Sequence, residues 1–263
     1  MNKMKEYAAM RKEQLKERVQ ELNAQKKDEP WLLIIQVGDN EASNRYIRNK
    51  IKDCEEIGII AHHRKFPLEI TTGELVDFIT TYQGKYTGVI VQQPLPPHID
   101  QKVIDCAIRP TKDVDGFHPL SRFNPATAQG IINYLEWRNW LIPGLNVTVI
   151  GRSNIVGKPL ARMLTDANLT VTLCHSYTTD VVTHCRNADI IICAVGQNKF
   201  LECSTFNQPI IDVGINFDEN GKMCGDCFTL TDEIKNNISP VPGGVGLLTR
   251  VALLENVVKA YGN

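Results

Sequence analysis

Tyr46 and Lys50 stand four residues apart in NEASNRYIRNKIKDCEEIGI, so a helix here puts a phenol ring and an amine on one face. Ile47, Ile51 and Cys54 form the apolar stripe of that helix, and Tyr46 and Lys50 lie one position off it, where a helix borders a cleft. Arg45, Arg48 and Lys52 raise the local positive potential, and partial burial acts in the same direction; both disfavour the ammonium form and make Lys50 a candidate proton shuttle. A solvated basic face is the other reading of these residues. Two further groups bear on the choice: Gln92, at the end of GVIVQQ, and Asp115, in KDVDGF. An amine, an amide and a carboxylate supplied to one place could hold a polar heterocycle and move a proton. Taken singly, Gln92 reads as an edge amide, and Asp113 and Asp115 as turn formers.

A second constellation follows the apolar run Val147-Thr148-Val149-Ile150, where the chain reads GRSNIVGKPL. A strand, a tight glycine turn and a helix N-terminus offer unpaired N–H groups and a partial positive charge to a phosphate. Ser153 stands where the second glycine of G-x-G-x-x-G would be, with Arg152 beside it, and a plain βα turn would need similar glycines. The next strand bears on the matter. An NAD site places an acid about 20 residues past the glycines, on the ribose 2′-hydroxyl. Here Leu173-Cys174-His175-Ser176-Tyr177-Thr178 brings no carboxylate before Asp180. Arg152, Ser153, His175 and Ser176 would instead supply charge and donors to a 2′-phosphate, which predicts NADP rather than NAD. His175 alone reads as a strand-end histidine.

These residues need elements to position them. Residues 4–22 read as an amphipathic helix with Leu15, Val19 and Leu22 on one stripe. WLLIIQV (31–37) reads as a strand ended by Gly38-Asp39-Asn40, residues 42–57 as a helix stopped by Gly58, and IIAHHRKF (59–66) and TGVIVQQ (87–93) as strands. Short apolar runs alternating with helices predict a parallel α/β sheet covered on both faces. The proline-rich stretch 94–119 reads as a shaped loop around one short helix, a suitable place for a substrate. NPATAQGIINYLEWRNW reads as a linking helix, and a second βα series follows with strands VTVI, LTVTLC, DIIICAV and PIIDVG, as in a Rossmann half. A glycine loop, SPVPGGVGLLT (239–249), precedes an apolar helix from Arg250 to Ala260.

Composition narrows the class. A chain of 263 residues, 43% hydrophobic and 22% charged, can bury one large core or two modest ones. Its net charge of −1 provides no global field for nucleic acid or an acidic membrane, so any anion must be met by local cations such as Arg152. The Lys- and Glu-dense N-terminus lacks a signal-like apolar core and no stretch is long enough to span a bilayer, so a cytoplasmic protein is expected. Eight cysteines, mostly inside apolar runs, read as reduced and buried. Cys224-Gly-Asp-Cys227 has C-x-x-C spacing, but no second pair or histidine partner follows at zinc-site spacing, and no metal is expected.

The motifs VGDNEASNRYIRNKIK, VQQPLP, PTKDVDGFHP, GRSNIVGKPLARML, VTLCHSYT, ADIIICAVGQ, IIDVGIN and SPVPGGVGLLT run from residue 37 to 249. In this order the chain resembles the bifunctional methylenetetrahydrofolate dehydrogenase/cyclohydrolases of one-carbon metabolism. The resemblance implies an α/β folate (catalytic) domain over 1–121 completed by the C-terminal helix 247–263, a Rossmann-type NADP-binding domain over 122–246, an active-site cleft between them, and a homodimer through the Rossmann domains. It implies that Tyr46 stacks on the aminobenzoyl ring of the folate, that Lys50 is the catalytic lysine, that Gln92 positions it and that Asp115 pairs with the pterin. Gly151, Arg152 and Ser153 match the cofactor-phosphate loop, Ser176 and Ile215 other cofactor contacts, and Pro242, Gly243 and Gly244 a second glycine loop at the substrate. The implied activity is NADP-dependent oxidation of 5,10-methylenetetrahydrofolate, then hydrolysis to 10-formyltetrahydrofolate. A single-activity or NAD-using relative, or a silent nucleotide or folate sensor, would carry many of the same motifs. The chain departs from the family pattern at Pro125-Ala126-Thr127-Ala128-Gln129-Gly130, at Gln93 for a usual leucine, at Tyr177 for a common basic residue, and at Leu247-Leu248 for Pro-Met.

Overall fold

The computed structural model describes residues 2–26 and 28–263, and the chain divides into two compact units. One comprises Ala9–Ala126 with Arg250–Asn263; the other comprises Thr127–Thr249 with the start of the first helix up to Ala8.

The first unit is built on α1 (Lys3–Lys26), β1 (Trp31–Val37), α2 (Glu41–Ile57), β2 (Ile60–Phe66), α3 (Thr72–Tyr82), β3 (Gly88–Val91) and α4 (Gln101–Ala107). Its sheet is parallel, in the order β2-β1-β3, with Leu32 opposite Ala61 on one side and Gly88 on the other. Leu33, Ile35 and Val37 of β1 share one core with Leu75 and Ile79 of α3 and Ile104 of α4. Leu32 and Ile34 on the opposite face are equally buried, so the central strand is covered on both sides and its unbroken apolar run follows. Each such side chain contributes about 1.5–3 kcal/mol on leaving water. β2, which exposes His62 to Lys65, is one edge of the sheet, and charged side chains there disfavour further pairing. Asn40 caps α2 by accepting the Ser43 N–H at 3.0 Å, so the polar turn seen in the sequence also starts the helix that carries Tyr46 and Lys50.

The second unit follows α5 (Ala126–Trp137) with β4 (Asn146–Ile150), α6 (Gly157–Asp166), β5 (Thr170–Cys174), α7 (Val181–Arg186), β6 (Ile190–Cys193), β7 (Leu201–Glu202), β8 (Ile210–Asp212), β9 (Asn216–Phe217), β10 (Met223–Cys224) and β11 (Cys227–Phe228). The main sheet is parallel in the order β5-β4-β6-β8, with Ile150, Ile191, Cys193 and Ile210 in its core. The last helix, α8 (Val245–Gly262), starts earlier than the Arg250 expected from sequence. Gly244 permits the tight approach of the preceding loop, since a Cβ there would lie 2.3 Å from the Pro240 carbonyl oxygen, and the leucines beyond it already favour a helix. α1 outruns its expected span for a related reason: apart from Asn23, the residues added, Lys3, Ala24, Gln25 and Lys26, are good helix formers. β3 stops short of the expected Gln93, although the Gln92 N–H still reaches the Ile35 carbonyl at 2.8 Å.

Two buried acids tie the loops of the second unit together. Asp226 is fully buried, and its carboxylate accepts the N–H groups of Val195 at 2.8 Å, Gly196 at 3.0 Å and Gln197 at 2.9 Å, and the Asn216 amide at 2.9 Å. Asp212 accepts the N–H groups of Gly214 at 3.0 Å, Asp226 at 2.9 Å and Cys227 at 2.9 Å. The packing leaves no room for side chains alongside: a Cβ on Gly225 would sit 1.9 Å from an Asp212 oxygen, and one on Gly214 2.1 Å from an Asp226 oxygen. The Gly and Asp of CGDC are therefore structural, and its cysteines sit in separate short strands. Asp226→Asn would turn an amide NH2 either toward the N–H groups of Val195 and Gly196 or toward the Gln197 N–H and the Asn216 amide. It should lower unfolding free energy by at least about 1.5–3 kcal/mol, the scale of hydrogen bonds to a charged acceptor. An unchanged denaturation midpoint would show that these bonds carry no net stability.

Candidate functional site

α2 delivers Lys50 into the first unit with only 5% of its surface exposed. Its ammonium donates to Gln92 Oε1 at 3.2 Å and lies 5.3 Å from the centroid of the Tyr46 ring, one turn back on the helix. Gln92 is held in turn, because its Nε2 donates to the Gln93 carbonyl at 2.7 Å and its backbone is tied to β1. With the amide nitrogen so occupied, the amide oxygen faces the amine. Asp115 arrives from the loop after α4, and its backbone carbonyl accepts the Ala126 N–H. Among the described residues no salt bridge joins it to Lys50, and the two charges act on each other through space. Burial is the main influence on both: it lowers the pKa of Lys50 and raises that of Asp115, while their mutual attraction opposes each shift. The Arg250 guanidinium adds to the lowering at Lys50.

Arg250 belongs to a charged layer that the sequence did not disclose. It pairs with Asp53 at 2.5 Å and donates to the Asn49 carbonyl at 3.3 Å, in the turn that carries Lys50. Lys12 of α1 reaches Asp53 at 3.4 Å and Glu56 at 2.5 Å, and Arg11 reaches Glu255 of α8 at 2.7 Å. Burial raises the Asp53 carboxyl pKa against the pull of Arg250 and Lys12. No local spacing announces these pairs, because the partners lie some 40 and 200 positions apart in the chain.

In the second unit the loop after β4 turns at Gly151, whose φ of 108° suits only glycine and whose Cβ would approach the Ala194 carbonyl oxygen to 2.2 Å. The N-cap position of α6, Val156, offers no side-chain cap; the Ser153 hydroxyl instead accepts the Val156 N–H at 3.2 Å. An uncapped helix end with an arginine beside it suits a phosphate. Gly151 is bonded through its N–H to the Cys174 carbonyl, which places the His175–Thr178 turn next to this loop. Arg152, Ser153 and Ser176 are exposed there, and His175 is partly exposed. Ile215, 51% exposed, precedes the Asn216 that bonds to Asp226. Pro242, Gly243 and Gly244 lie in the loop before α8, where the Gly243 carbonyl accepts the Asn2 amide at 2.7 Å. Tyr46, Lys50, Gln92 and Asp115 thus belong to one unit, and Gly151, Arg152, Ser153, His175, Ser176, Ile215 and the 242–244 loop to the other. Among the described residues no group of acids, histidines and cysteines could hold a metal ion, and no helix is long and apolar enough to cross a membrane.

Two family models match this chain: the tetrahydrofolate dehydrogenase/cyclohydrolase catalytic domain over residues 3–115, and the NAD(P)-binding domain of the same family over residues 125–263. The bifunctional protein FolD of Bacillus subtilis (strain 168) is 42% identical over 270 residues, covering 97% of this chain and 95% of its own. The bifunctional FolD methylenetetrahydrofolate dehydrogenase/cyclohydrolase from Campylobacter jejuni has a similar structure, with a TM-score of 0.90 at 40% identity over 98% of this chain and 96% of that one. The Trypanosoma brucei dehydrogenase-cyclohydrolase, solved with NADP and an inhibitor, gives a TM-score of 0.88 at 29% identity over 97% and 94%. With both domains matched in order and relatives aligned over nearly their whole length, the chain belongs to the tetrahydrofolate dehydrogenase/cyclohydrolase family.

Proposed function

We propose that this protein oxidises 5,10-methylenetetrahydrofolate with NADP and hydrolyses the resulting 5,10-methenyltetrahydrofolate to 10-formyltetrahydrofolate. The observation that carries the reading is the buried Lys50 amine, held on the Gln92 amide oxygen beside Tyr46 and within the field of Asp115. The unit of Ala9–Ala126 with Arg250–Asn263 is the folate domain, and the unit containing the Gly151 loop is the cofactor domain.

Arg152, Ser153, His175 and Ser176 would hold the 2′-phosphate end of NADP, which supplies a hydride acceptor. Gly151 lets the backbone come close to the cofactor, Ile215 covers it, and Pro242, Gly243 and Gly244 line the substrate. Tyr46 offers a ring face to the aminobenzoyl group and Asp115 a carboxylate to the pterin. Loss of hydride from the bridging carbon leaves a cation shared by two nitrogens, so alignment rather than acid or base is the main task in that step. Hydrolysis differs. As the carbon–oxygen bond forms, one water proton passes to the neutral Lys50 amine. The remaining hydroxyl proton ends on N5 as the carbon–N5 bond breaks. Burial lowers the pKa of this amine and so enlarges its unprotonated fraction, whereas a solvated lysine is almost wholly protonated. The eight free thiols favour a reducing, cytoplasmic setting, and the family likeness favours a homodimer through the cofactor domain.

A spectroscopic assay of both half-reactions tests the whole reading; purified protein that binds NADP yet turns over neither folate would be a sensor instead. Lys50→Met should lower cyclohydrolase turnover by about 10²–10⁴, the range for a positioned acid or base, while NADP still binds. Near-normal hydrolysis would remove Lys50 from the mechanism. The same variant reports on stability. Because the folded state lowers the Lys50 pKa, the unfolded chain binds more protons between that lowered value and the ordinary 10.5, and wild-type stability rises with pH across this window. The stability of Lys50→Met relative to wild type should therefore be greatest below the lowered Lys50 pKa and shrink as pH rises toward that of free lysine; a pH-independent difference would mean that the buried amine does not titrate abnormally. Arg152→Ala should weaken NADP by about 1.5–3 kcal/mol and NAD far less. Equal losses would place the arginine on a group common to both cofactors.

A further inference from the structure

We propose that Tyr177 determines cofactor specificity by acting through Arg152, with its ring serving as the platform that holds the guanidinium ready for a 2′-phosphate. The proposal rests on the reading that Arg152 meets that phosphate. Tyr177 is 82% exposed, so its ring is not part of the core. The Arg152 guanidinium carbon lies 5.7 Å from the centroid of that ring, and the His175 ring meets it edge-on, 6.2 Å away at 71°. Arg152 follows β4 and Tyr177 follows β5, so the aromatic ring links two separate cofactor loops.

The turn beneath is fixed. The His175 N–H donates to the Thr178 hydroxyl at 2.9 Å, and the Thr178 N–H returns to the His175 carbonyl at 2.8 Å. The Tyr177 N–H donates to His175 Nδ1 at 3.2 Å. A backbone N–H can only donate, so Nδ1 is the acceptor and the ring proton sits on Nε2, which leaves a donor at this turn. A guanidinium held over a ring face by cation–π attraction spends none of its N–H groups on that contact and keeps them for paired bonds to phosphate oxygens. It also loses less rotational freedom on binding than an arginine that moves freely. A neutral aromatic residue at a position that is commonly basic in the family can thus serve phosphate recognition without a charge of its own. NAD, lacking the 2′-phosphate, gains little from the arrangement.

The test is a set of kcat and KM measurements with NADP and NAD on wild type, Tyr177→Phe, Tyr177→Leu, Arg152→Ala and the double variant Arg152→Ala/Tyr177→Leu. Tyr177→Leu should raise KM for NADP about two- to fivefold, the strength of an exposed cation–π contact, with kcat held and KM for NAD moved much less. Tyr177→Phe, which keeps the ring, should stay near wild type. In the Arg152→Ala background the leucine substitution should add nothing, since its effect passes through the arginine. An equal loss with NAD and NADP would mean that the ring touches a part common to both cofactors. A full loss in Tyr177→Phe would assign the effect to the hydroxyl, and an undiminished loss in the double variant would show that Tyr177 acts alone; each of these outcomes overturns the proposal. If Arg152→Ala itself left the NADP-to-NAD ratio unchanged, the underlying reading of Arg152 would fall, an outcome distinct from the others.

Discussion

An amine removed from water, with no salt bridge to neutralise it among the described residues, is the constraint around which the first unit is organised. Burying a full charge costs several kcal/mol even after relaxation, and Lys50 meets that cost through Gln92, the Tyr46 ring face, the distant attraction of Asp115 and partial loss of its own proton affinity. A carboxylate in direct contact would stabilise the ammonium further and carry its pKa back up toward the ordinary value, keeping the amine protonated. The spacing between Lys50 and Asp115 keeps the group between these extremes. The layer of Arg11, Lys12, Asp53, Glu56, Arg250 and Glu255 fixes α2 from behind and sets a positive guanidinium near the amine.

The second unit solves the opposite problem, which is to gather positive character where the chain has almost no net charge. Backbone donors at the start of α6, the Arg152 side chain and the His175 turn supply it locally. The glycine at 151 lets these come close together. Nothing in this arrangement requires a basic protein, which agrees with a sequence whose charges nearly cancel.

Local chemistry made much of this legible beforehand. The unbroken apolar run of β1, the cap at Asn40 and the i, i+4 pairing of Tyr46 and Lys50 are properties of adjacent residues, and the helix and strand they announce are present. What stayed hidden is non-local. Arg250 reads as one more charge on a terminal helix until folding sets it on Asp53, and Asp226 reads as a turn residue between two cysteines until three N–H groups from another segment close on it. Helix ends were displaced for a milder reason: propensity continues past the point where the apolar period stops, as at both ends of α1 and at the start of α8.

The carboxylate of Asp226 has a consequence for how this protein can be altered. The Val195–Gln197 loop after β6 does not shape itself; its donors are gathered by an acid some 30 residues downstream, which also grips Asn216. Transplanting that loop alone into another scaffold would leave three donors without their acceptor, and importing a foreign loop here would leave a buried anion unsatisfied. The smallest exchangeable module therefore runs from about residue 194 to 227. Within it, the exposed turn around Asn220 and Gly221 can take up differences in length, whereas the Gly225-Asp226 step, packed against Asp212, cannot.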